Sequence, residues 1–274
     1  MMTARAFSQV DVFTSVAYAG NPVAVVLDGD GLTTEEMERF TRWTNLSEAT
    51  FVLPPTTPDA NYRVRIFTSA EATPTRPSAE MPFAGHPTLG TCHAWLEAHG
   101  GGDTVVQECG AGLVRIRRID GVLAFAAPPL LRYEPAGDET IDEIAASLRI
   151  GRDEIVAAQW VDNGPGWVAA LLRSPEAVRA LTPGDVRLDL GVVGVDGDRV
   201  ELRAFFPRAG ATAEDPVTGS LNASVAHWLR DTGRASLPYV ASQTTGRVHV
   251  SQDDAGDIWI GGGTVTCIRG EVVA

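Results

Sequence analysis

Two stretches of the chain, Gly-His-Pro-Thr-Leu-Gly-Thr-Cys-His-Ala-Trp-Leu at 85–96 and Thr-Gly-Ser-Leu-Asn-Ala-Ser-Val-Ala-His-Trp-Leu at 218–229, read as one design written twice. Each runs from a turn of small residues into a helical segment that closes on Trp-Leu, which sets Trp95-Leu96 against Trp228-Leu229. Upstream of each lies an alternating apolar and polar run ending in Phe, at Phe67 and at Phe206, and then a loop containing proline. The order strand, loop, small-residue turn, helix therefore occurs twice, and a duplication of this size implies two similar lobes with a cleft between them.

The rest of the chain supports a strand-dominated α+β fold. Short alternating runs at 6–13, 22–27, 62–68, 105–119, 155–161, 167–172, 200–206, 248–250 and 265–268 predict strands, most of them bounded by Gly, Pro or Asp. Residues 33–44 predict a helix with a Thr cap followed by acids, and 141–148 a short amphipathic one. At 126–135 three prolines in Ala-Ala-Pro-Pro-Leu-Leu-Arg-Tyr-Glu-Pro predict a linker, because proline is poorly tolerated inside a strand or helix. This places one lobe at 1–129 and the other at 130–274, with the last strand free to pair with the first lobe. Residues 68–81 are polar and proline-containing and predict a surface loop.

Composition removes whole classes of function. Hydrophobic residues make up 44% and charged residues 21%, near the averages for folded globular chains, so wholesale disorder and coiled coil are excluded. The formal net charge of −13 repels phosphate backbones and anionic lipid, which argues against nucleic-acid and membrane partners. All 22 basic residues are arginine. Without a lysine amine there is no Schiff base and no P-loop, so pyridoxal-phosphate enzymes and lysine-dependent aldolases are excluded. Three scattered cysteines, Cys92, Cys109 and Cys267, form no CxxC pair and predict free thiols in a reducing compartment. No signal-type segment opens the chain and no run reaches about 20 apolar residues, so the expectation is a soluble cytoplasmic protein.

Candidate chemistry gathers at three places. The two small-residue turns entering helices carry Gly85, His86 and Thr88 in one case, and Glu214, Asp215, Thr218, Gly219 and Ser220 in the other. Unpaired N–H groups at such helix starts, added to the helix dipole, suit a carboxylate or phosphate. The alternative is that Asp215, Thr218 and Ser220 are ordinary helix caps. The third place is Asn45-Leu-Ser-Glu-Ala-Thr-Phe51, where Glu48 precedes an apolar run. Burial there without a cation partner raises a carboxyl toward neutrality and suits a proton carrier, whereas a loop-end position leaves it exposed and inert. His86 and His93 are seven residues apart but lack a third nearby ligand, so no metal is expected.

Asn45-Leu-Ser-Glu-Ala-Thr-Phe51, Met81-Pro-Phe-Ala-Gly-His-Pro-Thr-Leu-Gly-Thr91 and Glu214-Asp-Pro-Val-Thr-Gly-Ser220 together resemble three signature segments of the phenazine-biosynthesis PhzF-like family of isomerases. Ala-Gly-Asn-Pro-Val-Ala-Val-Val at 19–26 and the closing Gly-Arg-Val-His-Val and Ile-Gly-Gly-Gly-Thr-Val segments resemble it too. The resemblance implies a diaminopimelate-epimerase-like fold of two lobes, each a curled, mainly antiparallel sheet around a central helix, with the active site between them. It implies a cofactor-free isomerisation that moves a proton between carbons of a small carboxylated substrate, for some members an amino-cyclohexadiene carboxylate. Carried onto this chain, Glu48 is the general acid and base, Asp215 and His86 are its polar partners, and Gly85, Gly219 and Ser220 line the carboxylate site. The resemblance is also compatible with a homodimer. It does not fix phenazine chemistry.

Two departures stand out: a longer Pro- and Thr-rich loop at 69–79, expected to bear on substrate choice, and the polar Asn222 and Ser224, expected to alter the polarity of the pocket. Two rivals are kept. An amino-acid racemase or epimerase of the same fold would need a cysteine at each helix-entry turn, where this chain has Ala84 and Pro216-Val217-Thr218. A non-catalytic small-ligand binder would not need Glu48.

Overall fold

The computed structural model describes residues 3–69, 79–208 and 210–273, which divide into two compact units, Met1–Ala126 with Gly261–Ala274, and Ala127–Ile260. The expected loop at 69–79 falls almost wholly outside the described residues.

The first unit contains β1 (Ala4–Val12), β2 (Asn21–Val26), α1 (Thr34–Thr44), β3 (Glu48–Leu53), β4 (Tyr62–Thr68), β5 (Glu80–Met81), α2 (Gly85–His99), β6 (Thr104–Cys109), β7 (Gly112–Ile119) and β8 (Val122–Ala126). Pairing runs β1–β2 antiparallel, β2–β3 parallel, β3–β4 antiparallel and β4–β6 parallel, then antiparallel through β7 to β8, with β5 added to β4. Helix α2 touches β1, β2 and β3 as well as β6 and β8. One helix can reach both ends of that order only if the sheet curls around it. Accordingly α2 is buried continuously from Gly85 to Cys92 and again at Ala94. Gly90 lets it lie against the sheet, since a Cβ there would overlap Val23 Cγ1 and crowd Val12. The outer face of the sheet is covered by α1, whose Met37 packs on Ala24, Val26, Ala49, Phe51 and Phe67. Helix α1 starts where the Thr-then-acid signal places it: Glu36 N–H donates to Thr33 Oγ1 and Thr33 N–H to Glu36 Oε2, a reciprocal cap.

The second unit contains β9 (Arg132–Pro135), α3 (Asp138–Leu148), a 3-10 turn (Arg152–Glu154), β10 (Ile155–Asp162), β11 (Val168–Leu172), α4 (Pro175–Arg179), β12 (Leu190–Asp196), β13 (Arg199–Arg208), β14 (Ala211–Asp215), α5 (Gly219–Asp231), β15 (Tyr239–Gln243), β16 (Gly246–Gln252) and β17 (Ile258–Gly262). Pairing from β10 repeats the first unit sign for sign: antiparallel to β11, parallel to β12, antiparallel to β13, parallel to β15 and antiparallel to β16, with β14 added to β13. Helix α5 is central here, and Leu221 takes the space that a side chain at Gly191 would need. Opposite, α3 and α4 pack on Val168, Ala170, Leu172, Leu190 and Val192. The two lobes are thus similar, each a curled, mainly antiparallel sheet around one helix.

A side-chain clamp repeats with the backbone. Arg65 on β4 bonds Glu80 on β5 through two nitrogens, at 2.7 and 2.5 Å, and lies over the Phe67 ring. Arg203 on β13 bonds Glu214 on β14 at 2.7 Å twice and lies over Phe205. Each clamp fixes the short strand that feeds the central helix, so Glu214 is structural. The clamps also correct the alignment read from sequence. Phe205, not Phe206, is the counterpart of Phe67, and both helices start at a glycine that follows Pro-x-x, Gly85 and Gly219. Trp95 lies ten positions beyond the first and Trp228 nine beyond the second, so His93 matches His227 and the two Trp-Leu pairs are one residue out of step.

Two further differences have physical causes. The expected linker contains β9, antiparallel to β10. Its four residues are exposed and Pro135 closes the strand, where a missing N–H removes no interior ladder bond. The run at 105–119 is two strands, β6 and β7, broken at Gly110-Ala111. The C-terminal segment 261–274 lies with the first unit, where β18 (Thr264–Val273) pairs antiparallel with β1. His93 of α2 secures that strand, with Nδ1 2.9 Å from Thr264 Oγ1 and Nε2 3.0 Å from Thr266 Oγ1. Among the described residues no helix is long and apolar enough to cross a membrane.

Candidate active site

Glu48 opens β3, opposite Val23 of the parallel β2 and Thr68 of β4. Strand alternation fixes where it points. Ala49 and Phe51 enter the outer core, so Glu48 and Thr50 face α2, and Thr50 Oγ1 accepts a 2.8 Å bond from Thr91 of that helix. His86, second residue of α2, meets the carboxylate with Nε2 3.3 Å from Glu48 Oε2. The two side chains are only 9% and 14% exposed, so both partners are largely out of water. Burial pushes His86 down to about 3, which leaves the imidazole neutral at ordinary pH. The contact therefore sets a carboxylate against a ring dipole instead of a full cation.

Helix α2 has no side-chain cap at Ala84, and its first backbone bond is Thr88 N–H to Ala84 O. Since Pro87 has no N–H, the first-turn donors left without a partner among the described residues are those of Gly85 and His86. Thr88 belongs to the interior instead: Gln107 Nε2 donates to its Oγ1 at 3.0 Å, and Tyr62 O–H donates to Gln107 Oε1 at 3.0 Å.

The second unit has the matching helix start. Asp215 ends β14, and its Oδ2 accepts from Thr218 O–H at 2.7 Å. Gln243 locks this turn, accepting from Thr218 N–H at 3.0 Å while donating to Thr218 Oγ1 at 2.9 Å and Asp215 O at 3.1 Å. Thr218 is the N-cap residue but makes no cap bond, so the capping alternative does not describe α5. Its first helical bond is Asn222 N–H to Thr218 O, which leaves the amides of Gly219, Ser220 and Leu221 without an intrahelical acceptor. Asn163 Nδ2 donates to Ser220 O at 2.9 Å, and Trp167 Nε1–H donates to Ser220 Oγ at 3.0 Å. Asn222 and Ser224, expected to change pocket polarity, are fully buried, and Asn222 Nδ2 is spent on Thr218 O and Gln243 Oε1.

The structure brings Glu48, His86 and Gly85 together in the first unit, and Asp215, Gly219 and Ser220 together in the second. Sequence reasoning missed Gln107, Gln243, Asn163 and Trp167. It also missed Asp189: with Ala49 opposite Phe67 and Leu190 opposite Phe205, Asp189 holds the position in the second unit that Glu48 holds in the first. The repeat of Arg-x-Phe at 65–67 and 203–205 carries that register and could have revealed it. No cysteine lies at a helix start. Cys92 is buried within α2 and its thiol is pushed up to about 12 by burial, while burial also raises that of Cys109 on β6. Among the described residues no cluster of three or more His, Cys, Asp or Glu could hold a metal ion.

Comparison with known proteins gives this geometry a family. The family model described as phenazine biosynthesis-like protein matches residues 10–270. The chain is 34% identical to antisense-enhancing sequence 1 of Schizosaccharomyces pombe, over 98% of this chain and 99% of that protein. It is 35% identical to trans-2,3-dihydro-3-hydroxyanthranilate isomerase of Pseudomonas fluorescens, over 77% of this chain and 74% of that one. The fold matches that of a Pseudomonas aeruginosa protein described as a predicted epimerase, with a TM-score of 0.82 at 24% identity, covering 98% of this chain and 99% of that one. On a match that spans almost every described element, the chain belongs to the phenazine biosynthesis-like (PhzC/PhzF) family, and it is an enzyme of the isomerase class.

Proposed function

We propose that this isomerase works without a cofactor and moves a proton between two carbons of a small carboxylated substrate, with Glu48 as the general acid and base. The observation that carries this reading is the 3.3 Å contact of Glu48 Oε2 with a neutral, buried His86 at an uncapped helix start. In the step proposed, the Glu48 carboxylate takes a proton from an sp3 carbon, and the released electron pair forms a new C=C bond. The old double bond shifts, and the far carbon takes the proton back from the Glu48 carboxyl. Atoms and electrons balance with no oxidant, reductant or metal.

His86 and Asp215 are proposed as polar partners, and Gly85, Gly219 and Ser220 as carboxylate-binding residues through uncapped amides and the Ser220 hydroxyl. The relatives' name supports an amino-cyclohexadiene carboxylate as the substrate class. The racemase alternative loses its chemistry with the cysteines, since a two-base mechanism through thiolates has none at either helix start. Glu48→Gln keeps the shape and the hydrogen-bonding oxygen but cannot take up and return a proton. On trans-2,3-dihydro-3-hydroxyanthranilate and a panel of related carboxylates, turnover should fall by about 10²–10⁴-fold, the usual weight of a positioned acid–base group, with ligand affinity retained. A variant that turns over like the parent would remove Glu48 from the mechanism.

A further inference from the structure

Ser220 is held from two sides by one loop. Between β10 and β11, Asp162 Oδ1 accepts from the N–H groups of both Gly164 and Gly166 at 2.7 Å. Those glycines sit at φ 138° and 95°, in the left-handed region that a side chain would oppose. The turn so formed delivers Asn163 to the Ser220 carbonyl and the buried Trp167 to the Ser220 hydroxyl. A serine hydroxyl has one proton and two lone pairs. With the indole N–H donating into one lone pair, the proton must point away from Trp167, and among the described residues Ser220 O–H has no acceptor.

The same station in the first unit, the residue after the helix-start glycine, is His86, and it faces the carboxylate of Glu48. One helix start thus faces a proton acceptor, whereas in the other the residue after the glycine receives an N–H donor. Asp215, three residues before Thr218, accepts through Oδ2 from the Thr218 hydroxyl.

We infer that Trp167 is a positioning residue that turns the Ser220 proton toward the substrate's carboxylate, so that the Ser220 hydroxyl donates there alongside the amides of Gly219, Ser220 and Leu221. This rests on the reading of the helix start as a carboxylate site. It adds that the site's polarity is set from outside by an indole N–H, and that Trp167 acts through Ser220 alone.

The test is a double-mutant cycle on the full chain, with anthranilate as the calorimetric probe and melting curves to confirm folding. Trp167→Phe keeps an aromatic ring and loses the N–H. It should weaken anthranilate binding roughly 3–10-fold, the worth of one oriented hydrogen bond, and Ser220→Ala should weaken it at least as much. The double variant should bind no more weakly than Ser220→Ala, because without the hydroxyl the indole has nothing to orient. In turnover the loss should fall on KM, with kcat nearly unchanged. Trp167→Phe binding like the parent, or losses that multiply in the double variant, would overturn the role of Trp167 and leave the carboxylate site standing. A parent that binds neither anthranilate nor benzoate would overturn the site itself, and this inference with it.

Discussion

His86 shows how one buried side chain ties stability to chemistry. An imidazole that stays neutral in the fold down to about 3, yet titrates near 6.5 when unfolded, makes the folded state the poorer proton binder between those values. Its stabilising contribution is complete above about 6.5 and drains away as the pH falls toward 3. His86→Gln should therefore flatten the decline of unfolding free energy between pH 6.5 and 4, where the parent loses on the order of a few kcal/mol, each tenfold difference in proton affinity between the folded and unfolded chain being worth about 1.4 kcal/mol. Burial pushes His93 and His227 the same way, and both remain in the variant, so the difference between the two urea series isolates His86. Equal slopes would show that His86 is protonated beside Glu48. The neutrality of His86 is not legible in the sequence. The Gly-His-Pro string shows a polar residue at a helix start, but the desolvation comes from a sheet wrapped around that helix, which only the tertiary fold supplies.

At the scale of the element, two opposing effects meet at Gly90. Helix propensity alone says that Gly90→Ala gains about 1 kcal/mol. Packing says the reverse, since the new Cβ would overlap Val23 Cγ1 with Val12 and Val10 behind it, and overpacking a close-fitted core costs about 1–3 kcal/mol. Packing should win, because Gly90 and Val23 are both buried and the overlap falls on a short, branched side chain. The prediction is a lower melting temperature and lower urea midpoint for Gly90→Ala; a rise in either would place α2 farther from the sheet. Elements with a local chemical signature are legible in the sequence, such as α1 with its Thr33–Glu36 cap. Strand β12, Leu-Gly-Val-Val-Gly-Val-Asp, is not, because it is covered on both faces and shows no alternation to read. The same holds for the start of β3, where Glu48 looks like a loop end until β2 and β4 flank it.

For the whole molecule, the duplication is the feature the sequence carries best, since both copies keep a strand, a short feeding strand and a central helix entered at glycine. What it carries less well is the register between copies. The Trp-Leu pairs suggest an equivalence one residue off, and the Arg65–Glu80 and Arg203–Glu214 clamps correct it. Once corrected, the copies differ where chemistry is expected to differ: Glu48 against Asp189, and His86 against Ser220. The C-terminal strand completes the first unit through β1, a pairing of long sequence separation.

The central claim is that Glu48 carries the migrating hydrogen, and the most direct measurement of it is turnover in heavy water. Parent and Glu48→Gln would be incubated with trans-2,3-dihydro-3-hydroxyanthranilate, with product and its deuterium content followed by mass spectrometry. The parent should yield product, with solvent deuterium at the newly protonated carbon whenever the Glu48 carboxyl exchanges before returning its proton. Glu48→Gln should yield product and label about 10²–10⁴-fold more slowly, although it still binds anthranilate. Product and label from Glu48→Gln at the parent's rate would contradict the claim.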